Sequence, residues 1–174
     1  MKESDFGAEI RRSVPFAREK LNTYIDYTKI PDSFAQSSDT RFTPIKFYDC
    51  FLIVKGIHHA LELKLSKSIS ISFDSIREVQ ETKLQEVEKA GGKGFIVVNF
   101  RFEFSDREAF KRGKKQCIAS YAVPIKQWME AKAVAKRKSL NLEWFEGNAI
   151  NLPKIKTDKG IGWNYTELLE NKDK

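Results

Sequence analysis

The residues best placed to do chemistry lie in the stretch YDCFLIVKGIHHALELKLSK, which holds Asp49, Glu62 and Lys64. Lys55-Gly56 reads as the two-residue turn of a hairpin, with Gly suited to the positive φ of a tight turn. Val54 then faces Ile57, and Asp49 falls directly opposite Glu62. Directly opposed residues in an antiparallel pair share a face, with Cβ atoms ~4.5–5.5 Å apart. The two-residue period puts Lys64, His58 and Ala60 on that same face. The other face of the second strand carries Ile57, His59, Leu61, Leu63 and Leu65 and is mostly core.

Two opposed carboxylates repel, and the cost grows with burial. A divalent cation removes it. Mg²⁺ takes hard oxygen ligands and often only one or two protein carboxylates, leaving the rest to water and substrate phosphate. A lysine alongside can orient an attacking water and balance charge on a phosphate. The trio has the parts for metal-assisted phosphodiester hydrolysis. A solvated hairpin face would carry the same residue types in a chain that is 32% charged, and a one-residue slip would send the two acids to opposite faces. His58 lies four residues before Glu62, roughly 13 Å along an extended strand, and reads as a packing or solvent residue.

The elements that must position these groups follow from the rest of the pattern. Residues 6–29 read as helical, with Pro15 marking an interruption or a second helix start. Residues 30–46 read as a polar loop with two Pro and five Ser or Thr. Strands are expected at Phe47–Val54 and Ile57–Leu65, and SKSISISF alternates as an extended or looping segment. A helix from about Ile76 to Ala90 follows, with Ser75 and Glu78 as a capping box and Gly91-Gly92 as its stop. Phe95–Phe104 is a strongly apolar strand, 105–116 a basic loop and Cys117–Val123 another strand. Pro124 opens a basic helix to about Lys138. The tail carries loops and a last short helix with Asn164 and Glu167 as its capping pair. This order describes an α/β domain with a mixed central sheet.

On the helix from Ile76, the residues Ile76, Val79, Leu84 and Val87 span one arc, and Gln80 and Lys83 fall inside it. A Gln on a packing face needs partners for its amide. It either bonds backbone at the rim or reaches an attacking water or phosphate beside Lys64.

Composition narrows the classes. The 174 residues suit one domain, 1–174, and the net charge of +7 favours a polyanionic partner. No apolar run approaches the roughly 18 residues of a membrane helix, and MKESDFGAEIRRS lacks the apolar core of a signal peptide. Two cysteines, Cys50 and Cys117, give no disulfide framework and fit a reducing cytoplasm. Two adjacent histidines and two distant cysteines are too few for structural zinc. No nucleophile elbow, phosphate-binding P-loop or dinucleotide fingerprint is present. Residues 111–138 hold nine cations against Glu130 alone, an excess above the whole chain's +7. Lys111, Arg112, Lys114, Lys115, Lys136, Arg137 and Lys138, with Lys67 and Arg77 nearer the hairpin, are candidate phosphate contacts; an ordinary solvated loop and helix face is the alternative. Trp128 and Trp144 read as core rather than base-stacking residues.

The ordered set Asp49, Glu62-Leu63-Lys64, a helix spelling IREVQETKLQEVEKAGG and the strand GGKGFIVVNF resembles the PD-(D/E)xK (restriction-endonuclease-like) nuclease core. More narrowly it resembles the RecU family of Holliday junction resolvases and their phage relatives. The likeness runs more weakly through SYAVPIKQW, AKRKSLNLEWF and WNYTELLE, over most of 42–170. It implies a metal-dependent endonuclease resolving four-way DNA, acting as a homodimer because paired incisions need two sites. At matching positions it implies Asp49, Glu62 and the Leu63 carbonyl as ligands of Mg²⁺ or Mn²⁺, Lys64 placing the water and Gln80 supporting it. Glu9 would correspond to an acid that some superfamily members place near the metal, although a plain surface-helix Glu is favoured there. The chain departs from the family in three places. The polar 30–46 stands where RecU proteins carry a longer stalk; Phe47-Tyr48 replaces a Thr-Thr lead-in to Asp49; and the motif's leading Pro would be Pro44. Another DNA nuclease of the same core (repair, restriction or degradative), or a non-catalytic DNA-binding protein, are the alternatives.

Overall fold

The computed structural model describes residues 2–31 and 46–170. The segment expected as a shortened loop in place of a stalk, with Pro44, lies outside the described residues from 32 to 45.

Two short helices open the chain, α1 (Glu3–Arg12) and α2 (Val14–Leu21), with Pro15 in the first turn of the second. Asn22 adopts a left-handed conformation, φ 44°, and ends α2. The helix therefore does not run to residue 29, as the sequence reading had it. Ile25–Lys29 is instead strand β1, because an alternating Ile-Asp-Tyr-Thr follows the cap and pairs antiparallel with β2 (Cys50–Val54).

β2 and β3 (Ile57–Ser66) form the expected hairpin, with Val54 paired to Ile57 and Cys50 to Leu61. Both turn residues are left-handed, Lys55 at φ 50° and Gly56 at φ 80°, the type I′ geometry that matches strand twist. β4 (Ser70–Ser72) and a 3₁₀ turn at Phe73–Ser75 lead into α3 (Glu78–Lys89). The cap of α3 differs from the expected Ser75–Glu78 box. Ser75 Oγ donates to Ser72 O at 2.6 Å, while Gln80 Oε1 accepts the Arg77 N–H at 3.0 Å. The 3₁₀ turn consumes Ser75, so the helix starts later, at Glu78.

α3 crosses to β5 (Lys93–Glu103), which lies parallel to β3 with Glu62 beside Ile96 and Lys64 beside Val98. The crossover is tight. A Cβ on Gly94 would stand 2.7 Å from the Leu84 carbonyl oxygen of α3, so only glycine admits that approach.

The stretch read as a basic loop at 105–116 contains a helix, α4 (Asp106–Arg112). Ser105 Oγ caps its start, accepting from Glu108 N, and Gly113 in the left-handed region closes it. β6 (Gln116–Pro124) returns antiparallel to β5. α5 (Ile125–Val134) stops short of Lys138, because 139–141 form β7, paired antiparallel to β4. α6 (Leu142–Asn148), β8 (Ile150–Leu152) and the hairpin β9 (Lys154–Thr157) with β10 (Gly160–Trp163) follow, ending in α7 (Thr166–Leu169). α7 begins one residue later than the expected Asn164–Glu167 capping pair requires, with Tyr165 at its N-cap, and Asn164 Oδ1 instead accepts from both Thr166 N and Thr166 Oγ1.

The main sheet has six strands in the order β1-β2-β3-β5-β6-β8, mixed because β3 and β5 are its parallel neighbours. Each face carries its own core. On one face Leu52, Leu61, Leu63, Phe95 and Val97 meet Phe6, Ile10 and Val14 of α1 and α2 and Trp163, Tyr165 and Leu168 of the tail. On the other, Ala60, Ile96, Val98 and Phe100 meet Leu84 of α3, Ile125 and Trp128 of α5 and Phe145 of α6. The chain is thus α/β with a mixed central sheet flanked by helices.

Candidate active site

Glu62 and Lys64 project from the face of β3 that α3 covers, since they pair with Ile96 and Val98 of that face. Asp49 immediately precedes β2, and its N–H donates at 3.0 Å to the carbonyl oxygen of Leu61, the residue already paired with Cys50, so the strict hairpin pairing ends at Cys50. Beyond that point β2 has ended. The Leu63 N–H, left without a strand partner on that side, donates instead to Asp49 Oδ2 at 2.7 Å. A residue in a strand points its N–H and C=O to the same side, so the Leu63 carbonyl faces the same opened edge.

Glu62 is 1% exposed. Its Oε1 accepts from Gln80 Nε2 at 2.6 Å and stands 2.9 Å from Lys64 Nζ. Its Oε2 is buried with no hydrogen-bond partner among the described residues. Burial pushes the Glu62 carboxyl up to about 7, the Asp49 charge adds to the rise and Lys64 opposes it. Gln80 is itself buried and uses both ends of its amide, donating to Glu62 and accepting from Arg77 N. It locks the Glu62 rotamer from the first turn of α3.

The sequence reading brought together Asp49, Glu62, Lys64 and Gln80, and the structure places all four in one cluster. It missed Lys46, whose Nζ stands 2.6 Å from Asp49 Oδ1 and whose carbonyl accepts from the Arg77 guanidinium at 3.1 Å. The signal available was a lysine three residues before the acid. Each carboxylate therefore has one ammonium on it. His58 stacks on Phe51, ring centroids 4.6 Å apart, and meets Tyr48 OH at 3.2 Å. It is a packing residue; burial lowers its pKa.

Glu9 is not a surface residue. It is buried on the opposite face of the sheet, where its Oε2 accepts from Arg101 and, at 2.8 Å, from Trp163 Nε1. α1 packs on the Leu63 face, which directs its inner side away from Glu62.

Among the described residues no group of three or more His, Cys, Asp and Glu is placed to hold a metal. At the opened edge the available donor set is two carboxylates and a carbonyl. Such a set fits a hard cation that keeps most of its ligands as water or phosphate, and the buried, unpartnered Glu62 Oε2 is an oxygen left for it.

The basic stretch 111–138 divides into two groups in space. Lys111, Arg112, Lys114 and Lys115 sit at the tip between β5 and β6, and Lys136, Arg137 and Lys138 sit before β7. Lys138 O accepts from Phe73 N, four residues before Arg77. Lys67, just past β3, and Arg77 are exposed. Arg112 is engaged within the protein, paired with Glu108 and, at 2.6 Å, with Glu146. Lys132 is bound to the buried Glu81, which also takes the Trp128 indole N–H at 2.9 Å. Trp128 is core, as expected, and Trp144 is half-buried.

Asp49, Glu62 and Lys64 thus gather at the opened end of the β2–β3 hairpin, with Gln80 of α3 bonded to Glu62. The chain matches the Recombination protein U (RecU) description over residues 17–171 and belongs to that family, the RecU Holliday junction resolvases. All four clustered residues lie inside the matched span; Glu9 lies outside it. Among solved structures, the Holliday junction resolvase Hjc of Archaeoglobus fulgidus, an archaeal hyperthermophile, is similar with a TM-score of 0.40 at 10% identity, over 81% of this chain and 93% of that one. Curated proteins gave no significant match.

Proposed function

We propose that this chain is a divalent-metal-dependent endonuclease that resolves four-way DNA junctions, with Asp49, Glu62 and Lys64 as its cutting residues. The observation that carries the reading is the Glu62 carboxylate: buried, close enough to Asp49 to feel its charge, touched by Lys64 and, among the described residues, left with one oxygen unpartnered. Burying such a group is costly without a cation. Asp49, Glu62 and the Leu63 carbonyl would hold Mg²⁺ or Mn²⁺. Bound there, the cation supplies Lewis-acid activation of the scissile phosphate and a lowered pKa for water. Lys64 holds the attacking water against Glu62 and balances charge on the phosphate. Gln80 fixes Glu62 in the orientation this needs. Lys67, Arg77, Lys111, Arg112, Lys114, Lys115, Lys136, Arg137 and Lys138 are the proposed DNA contacts, Arg112 partly through the ion pairs that hold its element.

We also assign residues 1–174 to one nuclease domain acting as a homodimer in the cytoplasm, because symmetric incision of a two-fold junction needs two sites. No helix among the described residues is long and apolar enough to cross a membrane.

The test is cleavage of a panel containing a four-way junction, a flap, a linear duplex and a single strand, with and without Mg²⁺ or Mn²⁺. Asp49→Ala and Lys64→Ala are each expected to lower junction cutting by at least 100-fold while junction binding survives. Wild-type rates in both variants would overturn the site. Preference for linear duplex would move the chain to another nuclease task, and binding without cutting over a range of metals would make it a non-catalytic binder.

A further inference from the structure

We infer that Phe110, at the tip between β5 and β6, stacks on an unstacked base of the branch and supplies part of the preference for branched over linear DNA; this rests on the reading of the chain as a junction nuclease. Phe110 is 91% exposed. A single exposed apolar residue needs no explanation, but this one has a particular setting. It sits on α4, a helix that buries no residue fully. Between 105 and 115 the chain carries five cations and two acids. Arg107, Phe110 and Lys111 fall at i, i+3 and i+4 and share one face of α4. Arg107 and Lys111, with Lys114 and Lys115 just beyond the cap, are exposed.

The opposite side of α4 is fastened. Arg112 pairs with Glu108 and with Glu146 of α6, and its guanidinium lies 5.1 Å from the centroid of the Phe104 ring. Phe104 N donates to Lys115 O at 2.9 Å and closes the base of the tip. The helix is therefore held against α6 while its outer face offers one aromatic ring among cations. Cations beside an exposed ring are the combination that tracks a phosphate backbone and stacks a base with little regard to sequence. A protein partner would be served by an apolar patch, and no second large apolar side chain of α4 accompanies Phe110 in exposure.

Reach supports the assignment. Along β5 from Ile96, the neighbour of Glu62, to Glu103 is seven residues, roughly 23 Å in a strand. That is about seven nucleotide steps at ~3.4 Å each. The tip thus lies well along the sheet from Glu62, and the base it stacks is one that the branch itself leaves unstacked, which a linear duplex of the same length does not offer.

The experiment compares wild type with Phe110→Ala and Phe110→Trp, measuring affinity for a four-way junction and for a linear duplex of equal length, and junction cutting under single-turnover conditions. The side chain is exposed, so all three proteins should melt alike. Phe110→Ala is expected to weaken junction affinity by about tenfold or more with duplex affinity unchanged, and Phe110→Trp to restore it. A 2-aminopurine at the branch should lose fluorescence with wild type and keep it with Phe110→Ala. An unchanged ratio of junction to duplex affinity in Phe110→Ala, or an equal loss on both, would overturn the inference. If the wild type does not cut junctions at all, the functional reading fails instead, so the two failures are distinguishable.

Discussion

Glu62 carries the main electrostatic tension of the site. In the metal-free protein its carboxyl is raised from 4.5 to about 7 by burial and by Asp49. The folded state then holds a proton that the unfolded chain gives up at lower pH. The stabilisation from that proton is complete below about pH 4.5 and disappears as pH rises through 7. Without metal, the melting temperature of the wild type should fall relative to Glu62→Gln between pH 5 and pH 8. With millimolar Mg²⁺ the wild type should recover its loss at pH 8 and gain little at pH 5, because proton and cation compete for one carboxylate. Parallel melting curves for the two proteins across that range, with and without Mg²⁺, would exclude this picture.

At the scale of elements, the site depends on how closely α3 lies on the sheet. Gln80 reaches Glu62 because the helix crosses β5 over a glycine, where an added Cβ would meet the Leu84 carbonyl at 2.7 Å and the Ile125 side chain at 3.1 Å. Gly94→Ala should push α3 outward and cost about 1–3 kcal/mol in a denaturant titration, with a fall in cutting larger than the fall in junction binding. What could be read in advance was the part governed by local rules. A Lys-Gly turn and the strand period placed the hairpin, and one helical arc placed Gln80; the direct pairing of Asp49 with Glu62 was not reached, because the ladder ends at Cys50 and Leu61 and Asp49 meets β3 through the Leu61 carbonyl and the Leu63 N–H instead. What could not be read depended on partners distant in sequence. β1 is a strand because β2 receives it after the Asn22 cap. β4 and β7 exist by pairing with each other. α4 was hidden by its charge, since a short helix whose cap and Arg112 fork do the holding has no apolar stripe to betray it. Glu9 looked like a surface acid because Arg101 and Trp163, which bury it, lie far along the chain.

On the proposed reading, the cutting residues and most of the DNA contacts lie on different elements of the whole molecule. The acids lie at the opened end of β2 and β3, while the cations are gathered at the tip between β5 and β6 and before β7. The fold also ties α1 and α2 to the segment from β10 to α7. Trp163 N donates to Ser13 Oγ at 2.7 Å and Trp163 Nε1 to Glu9 at 2.8 Å, and Trp163, Tyr165, Leu168 and Leu169 complete the core under α1 and α2. Four buried side chains at roughly 1.5–3 kcal/mol each amount to about as much as the whole stability of an ordinary domain. During translation, then, the nascent chain carries every cutting residue out of the ribosome long before it can hold them in place. Nascent chains stalled with residues up to 158 exposed should be digested readily by protease, and those with residues up to 170 exposed should resist. The order of synthesis itself delays folding, and with it the site, until the segment from Trp163 to Leu169 has arrived.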